Sequence, residues 1–64
     1  MTWQKIEDNV WWFGEPIRGI IRKPLAVVQL GRIQYEWHIE KSFGYATSFI
    51  KAMEAAEKAL GIQN

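Results

Sequence analysis

A chain of 64 residues with a formal charge of +1 and no cysteine is one small domain that excludes disulfides and thiolate zinc sites and makes no strong electrostatic claim. Such a chain buries only ~60% of the surface it exposes when unfolded, so its four tryptophans, three phenylalanines and two tyrosines, or self-association, must compensate for a small core. No run approaches the ~20 apolar residues of a membrane span, and the opening residues, with Gln4, Lys5, Glu7 and Asp8, lack the apolar run of a signal peptide, so a cytoplasmic location is expected.

The chain opens with a short segment containing Trp3 and Ile6, and Asp8-Asn9 is a turn signal. Next comes the strand candidate "NVWWFG". Successive side chains of a strand point to opposite faces, so Trp11 and Trp12 cannot both enter one core. The segment "IRGIIR" is either the hairpin partner of that strand or the continuation of a bent one. Gly14, Pro16 and Gly19 interrupt the region and leave its register open.

Pro24 marks the start of a further strand, "LAVVQLG", in which Ala26, Val28 and Leu30 share the core while Gln29 faces water. Leu30-Gly31-Arg32 is short and glycine-bearing, as a hairpin loop should be. The clearest strand is "RIQYEWHIE": Ile33, Tyr35, Trp37 and Ile39 alternate with Gln34, Glu36, His38 and Glu40. The helix is "SFIKAMEAAEKALG", with Thr47 or Ser48 as N-cap and Gly61 at the left-handed C-cap position. Phe49, Met53, Ala56 and Leu60 form its core stripe, with Ala52 and Ala59 beside it. Residues 62–64 are expected to fray.

The expected fold is α+β: an antiparallel sheet of three or four strands with one C-terminal helix packed on one face. The other face is left uncovered. One tryptophan of the pair then joins the core beneath the helix while its neighbour stands on the open face or is hidden by a partner.

Chemistry is sparse. His38 sits between Glu36 and Glu40 on a polar strand face, which a metal could use but an ordinary solvated face explains better. Ser48 is better explained as a cap than as a nucleophile, and the single histidine has no evident path to any hydroxyl. The glycines are scattered and make no phosphate loop. No catalytic, cofactor or metal site is expected, and no small-molecule substrate. Arg18, Arg22, Lys23 and Arg32 lie in a stretch without an acid, and basic groups interleaved with exposed aromatics can serve a nucleic-acid surface. Basic residues on an edge also deter edge-to-edge pairing.

From Trp37 to Leu60 the pattern of Trp37, Ile39, Gly44, Ala46, Ser48, Ala52, Glu57, Ala59 and Leu60 resembles small phage and prophage proteins with a sheet followed by a helix. That resemblance implies an accessory protein of a mobile element that binds and alters a host protein. The tail "ATSFIKAMEAAEKALG" also looks like the last helix of double-stranded-RNA-binding domains. Those domains begin with a helix, where this N-terminus is strand-like, and open their last helix with a basic cluster, where this chain has Ser48-Phe49-Ile50. The three-stranded DNA-binding domain of some phage integrases is similar in outline, and Glu36 and Glu40 stand where its open face reads DNA.

The expected function is a non-enzymatic protein-binding module, with Trp11, Trp12, Arg18, Arg22, Lys23 and Arg32 as the partner-binding residues. Its partner is another protein, acted on as a phage-type accessory protein or inhibitor would, or a second copy of the chain through the open sheet face. The alternative is a small DNA- or RNA-binding protein that uses the basic segment with an exposed aromatic. No membrane contact is expected.

Overall fold

The computed structural model describes residues 1–61; the fraying expected of residues 62–64 lies outside the described residues. The chain runs through β1 (Thr2–Glu7), β2 (Val10–Gly14), β3 (Pro16–Ile17), β4 (Ile20–Ile21), β5 (Ala26–Leu30), β6 (Tyr35–Ile39), β7 (Phe43–Ala46) and α1 (Phe49–Ala59). The α+β class is as expected, but the sheet has five strands, in the order β1-β2-β5-β6-β7, all antiparallel to their neighbours. Two strands therefore exceed or complete the expected three or four: β1, built from the opening segment, and β7, on the far edge.

Turn chemistry sets these pairings. Asp8-Asn9 closes β1 on β2, with Asn9 at a φ of 66°, a left-handed conformation that asparagine tolerates better than most residues. The register shifts between Lys5 and Glu7, a bulge of the kind that raises local twist at sheet edges. The connection of β5 to β6 is longer than the sequence suggests. It spans 31–34, where the Gly31 N–H donates to the Gln34 carbonyl at 2.8 Å, and it removes Ile33 from the strand. Ile33, expected in the core, is 92% exposed. Leu30, also expected there, is exposed at the strand end.

The helix lies across the β5–β7 side of the sheet. Ser48 is its N-cap, the Oγ accepting from the Lys51 N–H at 3.2 Å, which satisfies one of the donors a helix start leaves free. Ala52 and Ala56 are fully buried, and their small size lets the helix approach the strands closely. Ala59, expected beside the stripe, is exposed. The core beneath holds Phe13, Ala26 and Ala56, flanked by Trp3, Trp37, Ile39 and Leu60. The Trp3 ring packs on Phe13 at 4.9 Å between centroids.

The segment read as either a partner or a continuation of β2 is neither. β3 and β4 form their own two-stranded hairpin, with Arg18 and Gly19 at φ 56° and 82°. Positive φ at both central residues is the signature of the type I′ turn that suits strand twist. This hairpin folds onto the face away from the helix. Ile21 is 1% exposed, and its Cγ2 stands 3.1 Å from where a Cβ on Gly14 would project. Gln4 fastens the hairpin from β1: its Nε2 donates to the Gly19 carbonyl at 2.8 Å and its Oε1 accepts from the Ile21 N–H at 3.0 Å.

Candidate binding face

The two tryptophans divide as strand alternation requires. Trp11 turns toward the helix, its ring 4.9 Å from that of Phe49, which also meets Tyr35 at 5.9 Å. Trp12 therefore points to the other face. It is half-buried there, as the cross-strand partner of Gln4 on one side and Val27 on the other.

Register carries that face across the sheet in two rows. One runs Gln4, Trp12, Val27, His38, Phe43, and the other runs Val10, Gln29, Glu36, Tyr45. The β3–β4 hairpin covers the end of the face near Gly14 and Gln4. The β6–β7 end has no such cover: Phe43 is 63% and Tyr45 54% exposed. His38 stacks on Phe43 with centroids 6.0 Å apart, and Phe43 meets Tyr45 edge-on at 6.3 Å. The three rings form a continuous aromatic surface, in geometries that aromatic pairs favour.

Gln29, Glu36 and His38 are grouped on this face. Glu36 Oε2 accepts from Gln29 Nε2 at 3.0 Å and lies 3.7 Å from His38 Nε2. Glu36 is thus held in place beside the aromatic surface, where it can accept from a partner's donor. Among the described residues no group of three or more potential metal-ligating side chains gathers. An open cleft of about 540 Å³ near the start of β5 and the end of β6 has His38, Glu40, Lys41 and Leu60 among its lining residues. No helix among the described residues is long and apolar enough to cross a membrane.

The expected partner-binding residues are not gathered in one place. Trp12 is on the open face and Trp11 is beneath the helix. Arg18 sits in the hairpin turn, next to the Gly19 carbonyl that Gln4 holds. Arg22 and Lys23 follow β4, at the end of the sheet where the Leu25 N–H donates to the Phe13 carbonyl. Arg32 is at the opposite end, in the β5–β6 connection, beyond the bond from the Leu30 N–H to the Asn9 carbonyl. All four cations are exposed, but Arg32 is a strand length away from Arg22 and Lys23. Phe43 and Tyr45, exposed on this face, are not among the expected residues. Their signal was weak, because two aromatics flanking a glycine fit a loop as well as a strand.

No protein-family model matches the chain, and no curated protein or solved structure matches it at a significant level.

Proposed function

We propose that the protein is a non-enzymatic protein-binding module whose docking surface is the uncovered part of the sheet, made of Trp12, Val27, His38, Phe43 and Tyr45. The observation that carries this reading is the exposed aromatic surface of His38, Phe43 and Tyr45 on strands fixed by pairing on one or both sides. Large aromatics supply contact area at small entropic cost and dominate binding hot spots. The surrounding Gln29 and Glu36 form the polar border that such a centre needs. The partner is a protein with an apolar patch bordered by a donor for Glu36. This is the surface an accessory protein or inhibitor of a host protein would use, in keeping with the sequence pattern of Trp37 to Leu60.

A photo-crosslinking residue in place of His38 tests the reading, with the same residue in place of Glu54 on the exposed helix face as control. In the native host cell the His38 position should yield a discrete adduct with a protein, lost when Trp12 or Tyr45 is changed to alanine. Equal labelling from both positions overturns the proposal. So does a tryptophan-fluorescence response to mixed DNA and RNA that fades as salt rises and disappears in an Arg22→Ala, Lys23→Ala variant, since that behaviour belongs to phosphate contacts.

A further inference from the structure

The sheet has two edges, and they differ in how they are guarded. β1 carries Lys5 and Glu7 and a bulge between them, and charge and bulges are the means by which natural sheets prevent edge pairing. β7, with the sequence Phe-Gly-Tyr-Ala, has no charge, no proline and an unbroken register with β6. One edge is blocked and the other is open.

The backbone of β7 shows which groups it offers. Ile39 and Ser42 exchange both backbone hydrogen bonds, at 2.8 and 3.4 Å. Antiparallel pairs alternate between bonded and non-bonded, so Trp37–Gly44 and Tyr35–Ala46 are bonded pairs as well. Gly44 and Ala46 therefore spend their backbone groups on β6. Phe43 and Tyr45 point their N–H and C=O groups away from the sheet.

We infer that β7 pairs with β7 of a second copy about a two-fold axis midway between the two Gly44 residues, joining two five-stranded sheets into one. A second copy suits this edge because the edge complements itself. With Gly44 opposite Gly44, each outward-pointing Phe43 faces the other copy's outward-pointing Tyr45, and both such pairs are of the hydrogen-bonded kind. Aromatic cross-strand pairs stabilise antiparallel pairing, and no like charges are opposed along the strand. The axis is perpendicular to the sheet, so both helices lie on one side and both aromatic surfaces merge on the other. The pairing also gives a chain with few buried residues the added burial that its size calls for. It shares Phe43 and Tyr45 with the proposed docking surface, but it is tested on the purified chain alone, where no other protein is present, so its failure and the failure of that reading are distinguishable.

Sedimentation velocity on the full chain across a concentration series should show a dimer. Tyr45→Pro deletes an outward N–H without touching the β6 bonds and should give a monomer with an unchanged circular dichroism spectrum. Should that variant fail to fold, Tyr45→Lys keeps the N–H and places a charge on the edge, with the same expected monomer. The register has its own test. Positions 42 and 46 of the two copies face each other as a non-bonded pair with Cα atoms ~4.5 Å apart, within disulfide range. In this cysteine-free chain, the double variant Ser42→Cys, Ala46→Cys should give a disulfide-linked dimer under mild oxidation, and neither single variant should. A wild-type monomer at every concentration overturns the inference. So does a dimer that survives both changes at Tyr45, or single-cysteine variants that cross-link as readily as the double.

Discussion

Gly44 lies against the indole of Trp37, its partner across β6 and β7: a Cβ placed on Gly44 would stand 2.6 Å from both Cε2 and Cζ2 of that ring. Carbon atoms do not approach so closely, and Trp37 is itself packed against the buried cluster of Phe13, Ala26 and Ala56. The ring has little room to retreat. Gly44→Ala should therefore destabilise the fold by roughly 1–3 kcal/mol, the usual range for overpacking. Urea unfolding measures it. Changing Trp37 to leucine removes the clash, so the double variant should cost less than the sum of the singles, and strict additivity would show that the contact does not limit the fold.

The same contact explains why β7 is hard to see in the sequence. A half-buried strand announces itself by large apolar residues on its inner face. Here the inner positions are Gly44 and Ala46, small because Trp37 and the helix occupy the space, while the aromatics Phe43 and Tyr45 face outward. β6 shows the opposite difficulty. Its alternation extends back to Ile33, which the connection has already carried out of the sheet, because periodicity does not record where a turn begins. The helix was legible from Ser48 onward, since its cap and its small buried alanines are local features. The facing of Trp11 and Trp12 was not, because it depends on register, and a shift of one residue exchanges them.

Gln4 stands in for a strand. Its amide bonds both the Gly19 carbonyl and the Ile21 N–H, and Ile21 is packed against the sheet beside Gly14. Gln4→Ala leaves a part-buried N–H unpaired, which costs about 1–3 kcal/mol. Because β3 and β4 pair with each other and not with a strand of the five-stranded sheet, the loss should be local. Hydrogen exchange should show the Ile21 amide deprotected while those of β5 and β6 keep their protection. Equal loss across all strands would mean that the hairpin unfolds only with the whole domain.

Arg18 occupies a position in the hairpin turn that its side chain does not favour. A left-handed conformation costs an ordinary L-residue roughly 1–2 kcal/mol, and Asn-Gly is the preferred pair for a type I′ turn. Arg18→Asn should raise stability by up to about 1 kcal/mol, since asparagine lowers that penalty without abolishing it. Thermal unfolding checks it. A fall in the midpoint would show that the arginine makes a compensating contact that its φ of 56° conceals.

The two neighbouring tryptophans should respond to truncation in different ways. Trp11 joins the sheet to the helix through Phe49, and Phe49 in turn reaches Tyr35. Removing it opens a gap beneath the first helical turn. Trp11→Ala should cost roughly 2–4 kcal/mol, at or below the usual range for a core tryptophan because Trp11 is only half-buried. Trp12→Ala removes contact area on the face away from the helix and should cost less, leaving the helix intact. Denaturant unfolding followed at the helical circular dichroism band compares them directly. A larger loss for Trp12 would place the main tryptophan contact on the open face and reverse the division between core and open face.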